Sequence, residues 1–539
     1  MNKLDLSNPQ DRVFAAILKR QAIEAGDTPY LVNDEVSITF AEAEDITNRL
    51  ATGLEKLGIS RGDRVAMYMG NRPETVLIAL AVNKVGAIWT PICSDYKGAW
   101  LSDTLERCEA SLLVTDSEHL PRLTDHCLDL LENIPLVLLE CGETEGASPV
   151  ATYAQLAQSE PRANEPGGAS AGDLCAILWT SGTTGRSKGV MQCYNNWTRA
   201  ISKGASQQFN SQEGDIIYCT LPLYNSGAWI TSILRALIEG IPVVIEQKFS
   251  VTHFWERVDK FKATQTFILG AMGVFLLNTP EQESDRDTTL RLAQIVPFPP
   301  HLWATFTERF NCGLVRTGLG QSECLGVFTQ IEDREDVPVY ALGFPFDDTD
   351  IALLDDEGKP VADGQVGEIA IREREDNVLF KGYFNDPAAT ARAYHGDWYL
   401  TGDMGLRDPA NGAYFYKDRK KDAVRFGGRN ISTLEVESVV RQHPDVRDCA
   451  AFGIPSKEVE SEDELKINIV LAEGTSPSHE EIASFINHNA PYYFVPRYME
   501  FVTELPYTPN QKVQKYQLRE QGVSEATWDL KNSDYRVSR

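Results

Sequence analysis

The 539-residue chain contains no CxxC pair, no HxxxH pair and no run of about eighteen apolar residues, and each absence removes a class of protein. Without paired thiols, the ten cysteines scattered from Cys93 to Cys449 read as reduced residues of a cytoplasmic protein, not as a disulfide framework. Without histidine or cysteine ligand spacing there is no zinc pattern. Without a long apolar run no segment is expected to span a membrane, and the opening "MNKLDLSNPQDRVF" lacks the apolar core of a signal peptide. Basic charge is also scarce. Lys and Arg number 51 against 78 Asp and Glu, a formal net charge of -27, which repels nucleic acid and anionic membrane at long range. Any phosphate must therefore be held locally.

What is present is a large globular composition. With 42% hydrophobic and 24% charged residues, the chain can bury a sizeable core, and its length calls for at least two domains. The first third alternates "ITFAEAEDITNRLATGLEKLGI" and "ETVLIALAVNKVGA", which carry helical spacing, with the short strands "DRVAMYM" and "ASLLVTD". Such alternation indicates a mostly parallel sheet covered by helices. The polar segment from Glu145 to Asp173 reads as a surface connection. Near residue 340 the pattern changes to short strands with Asp-Glu-Gly and Asp-Gly turns, as in a small barrel or meander. "DRKKDAVRFGGRN" reads as a charged junction, a compact helix-strand pattern follows it, and the tail from Asn532 reads as frayed. The expected fold is α/β: a large N-terminal domain (1–420) of helix-covered sheets plus a small β-barrel, then a smaller, mobile α+β C-terminal domain (421–539).

One loop carries chemistry. The apolar strand "LCAILW" runs into "TSGTTGRSKGV", so Thr180, Ser181, Gly182, Thr183, Thr184 and Gly185 sit where an α/β sheet presents its carboxyl edge to ligands. Glycines permit close approach, hydroxyls donate, and Lys188 adds positive charge, which together suit a polyphosphate. The spacing is not that of a Walker A loop, because Arg186 and Ser187 separate Gly185 from Lys188. A flexible surface turn is the competing reading, and the loop alone leaves both open.

The complete string resembles the phosphate-binding signature of the ANL superfamily of adenylating enzymes. Further motifs follow in that family's order over roughly residues 38 to 518. "LPLYNSG" (221–227) resembles the substrate-side loop, "GLGQSE" (318–323) the segment with a magnesium-binding glutamate, and "YLTGD" (399–403) the ribose-binding motif. "DRKKD" (418–422) resembles the hinge and "LPYTPNQKVQK" (505–515) the motif of the catalytic lysine. The resemblance implies Lys512, Lys188 and Glu323 as catalytic residues. It implies contacts to ATP from residues 180–185, Ser322, Asp403 and Arg419, magnesium held by Thr184 and Glu323, and a hinge at Lys421. Asn225, Trp229, Met272 and Gly318 are candidates for the acid pocket, although Trp229, Met272 and the neighbouring Phe275 read equally well as core.

The implied activity is an ATP- and Mg²⁺-dependent carboxylate-CoA ligase acting on a small-molecule acid, most similar to the crotonobetaine/carnitine-CoA ligase branch; a homodimer is compatible with it. Transfer to a carrier-protein phosphopantetheine and a non-catalytic nucleotide or acyl-CoA sensor remain as alternatives. Several positions depart from the family pattern. Ser187 stands where proline is usual, which should loosen the loop. Tyr194 and Asn225 replace histidines, Leu319 replaces an adenine-stacking aromatic, "AQIVP" (293–297) replaces the adenine loop, and Gln511 replaces a glycine.

Overall fold

The computed structural model describes all residues except 1, 141–146, 163–167, 181–186, 331–333, 421, 423, 427–428, 457–462, 491, 508–512 and 539. The chain forms two compact units, one of residues 1–350 and 372–394, the other of residues 351–371 and 395–539.

The first unit holds two seven-stranded sheets. One has the order Ala151–Thr152, Leu136–Leu138, Leu112–Thr115, Arg64–Tyr68, Ile88–Pro91, Leu174–Thr180 and Lys188–Cys193. Its pairs are parallel except the last, an antiparallel hairpin closed by the polar loop. The second sheet has the order Gly313–Val315, Leu292–Val296, Gln265–Leu269, Ile217–Cys219, Val243–Ile245, Pro29–Val32 and Ser37–Thr39, again parallel except for its final pair. Local chemistry explains the helices between strands. Phe40–Lys56 starts on a Thr39/Glu42 capping box. Pro73–Val85 has proline in its first turn and ends on Gly86 at φ 82°, and burial on nearly every side explains its continuous apolar run.

One expectation changes here. Part of the polar connection is structured: Ala151–Thr152 extends the sheet and Tyr153–Ala157 is a helix with a Thr152/Gln155 capping box. Gly53 leaves room for it, since a Cβ there would lie 2.9 Å from Leu156 Cβ. In addition, two helical stretches carry π-helical turns, Ile201–Ala205 and Trp229–Ile233, a feature frequent at functional sites.

The strands Thr349–Leu354, Val366–Glu373, Trp398–Arg407 and Tyr394–His395, with Tyr414–Arg419 paired to Trp398–Arg407, form a five-stranded sheet that falls mostly in the second unit. Among the described residues it is open rather than the expected closed barrel. The turn signals hold, with Gly358 at φ 77° and Gly364 at φ 83°, but strand alternation does not encode closure. Beyond it, Val446–Pro455, Asp463–Leu471, Tyr498–Phe501 and Trp528–Asp529 form a four-stranded sheet around a separate core. The tail is docked: the Tyr535 hydroxyl reaches Asn487 Oδ1 at 3.1 Å and the Ser538 amide donates to the same oxygen at 2.7 Å.

Candidate active site

Residues 181–186, and with them the expected phosphate and metal contacts of Ser181, Gly182, Thr183, Thr184 and Gly185, lie outside the described residues. The base of their hairpin is described. Thr180 pairs with Lys188, and its hydroxyl donates to the Lys188 carbonyl at 3.4 Å. Ser187 is buried, its hydroxyl lies 3.0 Å from that of Tyr96, and its carbonyl accepts from the Arg107 guanidinium. The serine is pinned where a looser loop was expected, because its hydroxyl gains a partner, Tyr96, that a proline ring could not engage.

Lys188 begins the return strand, and its ammonium lies 4.7 Å from the centre of the Tyr383 ring. The Tyr383 hydroxyl donates to Glu323 Oε1 at 2.8 Å. Burial, then the Glu323 carboxylate, pushes the Tyr383 phenol above its usual value, so it stays a neutral donor. One aromatic side chain thus touches both of the expected charged residues of this unit. Tyr383 is held by backbone pairing: Lys381 donates to Met191 at 2.8 Å, Met191 to Gly382 at 3.1 Å, and Phe384 to Gly189 at 2.7 Å. Gly382 has φ 96°, where a side chain is strained.

The turn bearing Glu323 is anchored to the same strand. The Gln192 side-chain amide donates to the Ser322 carbonyl, and Phe380 donates to the Glu323 carbonyl at 2.9 Å. Motifs about 130 residues apart, at 188–193 and 318–323, therefore meet through the segment 377–384. Sequence reasoning misses that segment. Its one local sign is an aromatic after glycine in "KGYF", which means little until the segment is seen pairing with strand Lys188–Cys193.

Other expected pocket residues divide. Gly318 faces open space, since a Cβ added there would meet no atom within 4 Å, and Asn225 is half-buried at the start of a short helix. Trp229 is 1% exposed, packed on Trp89 with ring centroids 4.4 Å apart and donating to the Leu223 carbonyl. Met272 is 6% exposed in the same core cluster, whereas Phe275 is exposed. Trp229 and Met272 both belong to the buried core cluster.

In the second unit Asp403 and Arg419 are register partners on adjacent strands, with Arg419 Nε 2.9 Å from Asp403 Oδ1. Asp403 is buried and Arg419 partly open. A carboxylate can accept from both hydroxyls of a diol. Lys421 and Lys512 lie outside the described residues, but their flanks are fixed. Asp418 Oδ2 accepts from the Thr433 hydroxyl at 2.8 Å, and Lys515 Nζ donates to that hydroxyl at 2.6 Å and pairs with Glu437 at 2.8 Å. Burial raises the Asp418 carboxyl above its ordinary value despite nearby Lys515. Tyr507 bridges to Val513, and its hydroxyl donates to Asp448.

Metal chemistry is constrained by the donors present. No group of three or more His, Cys, Asp or Glu converges among the described residues. A single half-buried carboxylate, Glu323, fits magnesium, which is commonly bound by one or two carboxylates together with substrate phosphates.

Residues 18–384 match the model of the AMP-binding enzyme family, and residues 435–512 match that of the AMP-binding enzyme C-terminal domain. The chain belongs to the AMP-binding enzymes. This AMP-binding enzyme is 32% identical over 492 residues to a crotonobetaine/carnitine-CoA ligase of Salmonella paratyphi B, covering 89% of this chain and 93% of that one. It is 31% identical, with the same coverage, to its counterpart in Salmonella typhi. Among solved structures, an anthranilate CoA ligase in complex with anthranoyl-AMP superposes with a TM-score of 0.85 at 23% identity, covering 96% of this chain and 98% of that one. A benzoate CoA ligase from Burkholderia xenovorans gives 0.82 at 22% identity, covering 94% and 99%. These two likenesses fix the fold.

Proposed function

We propose that this AMP-binding enzyme is an ATP-dependent carboxylate-CoA ligase that works through two half-reactions. The observation that carries the reading is the contact of Tyr383 with both Lys188 and Glu323 at the base of the polyphosphate loop. In the first half-reaction a carboxylate oxygen attacks the α-phosphorus of ATP, the Pα–O bond to pyrophosphate breaks, and an acyl-adenylate forms. The acid is already ionised near neutral pH, so no general base is required. Lys188 and Lys512 neutralise charge on the phosphates, Asp403 accepts from the ribose hydroxyls, and Arg419 steadies that carboxylate. Magnesium, held by Glu323 and Thr184, would supply charge neutralisation at the polyphosphate. In the second half-reaction the CoA sulfur bonds to the acyl carbon, the carbonyl carbon–oxygen bond to AMP breaks, and the thiol proton leaves to solvent.

Both half-reactions share one site if residues 421–539 rotate about Lys421 against residues 1–420, exchanging Lys512 for the thiol. No carboxylate in "LPLYNSG" suits an α-ammonium group, which disfavours amino acids. Crotonobetaine and carnitine, named for the relatives, are the first acids to try. A cytoplasmic enzyme, compatible with a homodimer, completes the reading; among the described residues no helix is long and apolar enough to cross a membrane.

The test is carboxylate-dependent pyrophosphate exchange over a panel of acids, followed by thioester formation with free CoA. Lys512→Ala should lower exchange by about 10²-fold or more and spare transfer from preformed acyl-adenylate. Lys421→Pro should do the reverse, because it restricts rotation while leaving the Lys512 ammonium in place. Exchange with no acid in the panel refutes the ligase reading, and equal losses in both half-reactions refute the rotation.

A further inference from the structure

The segment Ile92–Lys97 lies between two parts of the proposed site. Two adjacent side chains point to different loops: the Tyr96 hydroxyl lies 3.0 Å from Ser187 Oγ at the end of the phosphate loop, while Asp95 Oδ2 accepts from the Tyr224 hydroxyl of the substrate-side loop at 3.3 Å. The segment itself is fixed from behind. The Tyr68 hydroxyl donates to the Tyr96 carbonyl at 2.6 Å, and the Arg122 guanidinium donates to the Ser94 carbonyl. Ser187 is further held by Arg107, whose guanidinium also lies over the Trp179 ring at 5.5 Å. Burial pushes both phenols, Tyr96 and Tyr224, above their usual value, so each remains protonated and able to donate across the physiological range.

We propose that Tyr96 is a positioning residue that fixes the phosphate-loop end through Ser187 and, together with Asp95 and Tyr224, makes nucleotide affinity depend on the substrate-side loop. The physical argument is one of degrees of freedom. A loop rich in glycine and hydroxyl residues gains its polyphosphate geometry only when its ends are fixed. Its start is fixed by the strand Leu174–Thr180. Its end emerges at Ser187, which has no ring to restrict φ, and is fixed instead by the Tyr96 hydroxyl. Because Asp95 is the next residue, a shift of Tyr224 when an acid enters the substrate-side loop is passed to Tyr96 through a single peptide unit, which is planar and stiff.

The proposal rests on the functional reading given above, and its test separates the two. Binding of Mg·ATP to the full chain is measured calorimetrically without any acid, alongside the thermal midpoint of the nucleotide-free protein. Tyr96→Phe, which keeps the ring and removes the hydroxyl, should weaken Mg·ATP binding about three- to tenfold, the value of one ordinary hydrogen bond, with a midpoint lowered by no more than about 3 °C. In the Tyr96→Phe background, Ser187→Pro should restore binding to within about twofold of wild type, because the ring limits φ without needing a partner. Tyr224→Phe, at the far end, should weaken Mg·ATP in the same direction although it lies outside the phosphate loop. If the wild-type protein binds no Mg·ATP, both the function and this proposal fall. If wild type binds and Tyr96→Phe binds equally well, or if Ser187→Pro adds to the loss instead of reversing it, the function stands and the positioning role is overturned.

Discussion

The contact of one tyrosine ring with Lys188 and of its hydroxyl with Glu323 permits the two to be separated by mutation. Tyr383→Phe keeps the ring beneath the Lys188 ammonium and deletes the donor 2.8 Å from Glu323 Oε1. A hydrogen bond to an ionised carboxylate is worth about 1.5 to 3 kcal/mol. Glu323 is only half-buried, so water replaces part of the lost bond, and about 1 to 1.5 kcal/mol is the net expectation. The freed carboxylate should hold its cation in a less defined position. The magnesium concentration giving half-maximal pyrophosphate exchange should therefore rise about five- to twelvefold, while the Michaelis constant for ATP at saturating magnesium moves little. Tyr383→Leu removes both contacts. It should show the same magnesium shift and, in addition, an ATP Michaelis constant raised about two- to fivefold, from loss of a cation–π contact worth about 0.5 to 1 kcal/mol at a partly open site. The assay is exchange of labelled pyrophosphate into ATP as a magnesium titration at several ATP concentrations. A phenylalanine variant with an unchanged magnesium curve, or one in which ATP and magnesium dependence move together, would refute the division of roles.

Two further outcomes follow from the second unit and from the buried ion pairs. Asp403→Asn should raise the Michaelis constant for ATP about tenfold and narrow the preference of the enzyme for ATP over 2′-deoxy-ATP; retention of the wild-type preference would remove Asp403 from the ribose. Asp348 faces Arg199 at 2.6 Å, both 2% exposed, with Lys203 at 3.0 Å. Burial pushes its carboxyl up, but the guanidinium and the ammonium hold it below the ordinary value. The stabilisation is therefore complete above the unfolded value of 3.8 and lost as pH falls through the lower folded value. Asp348→Asn should cost about 3 kcal/mol near neutral pH by leaving Arg199 short of a charge. The gap in thermal midpoint between wild type and variant should stay constant down to about pH 5 and shrink below about pH 4. A gap that widens in acid would contradict this sign.

What the sequence makes legible is local chemistry. A strand followed by glycines, hydroxyls and a lysine is readable because each residue type is demanded by what the loop must do at that point, and the same holds for the capping boxes at Thr39 and Thr152. The aspartate of the ribose motif and the nucleotide-contacting arginine of the hinge motif are readable by resemblance and are register partners. Contacts made by distant segments are not legible. Tyr383 acquires meaning only because residues 377–384 add to the edge of the strand that starts at Lys188, and Ser187 looks like a loosened proline position until Tyr96, ninety-one residues earlier, is found against it. Trp229 and Met272 are ambiguous for a related reason. An apolar residue on a helix near a site shows the same periodicity whether it faces a substrate or the core, and the sequence carries no sign of the packing of Trp229 on Trp89. The open sheet after residue 349 reads as a barrel in sequence because alternation fixes which face of a strand is buried and leaves the partner of its last strand unspecified. The residues most worth mutating here, Tyr383 and Tyr96, are those with the weakest local signal, since their work is to hold groups whose own identity is already plain.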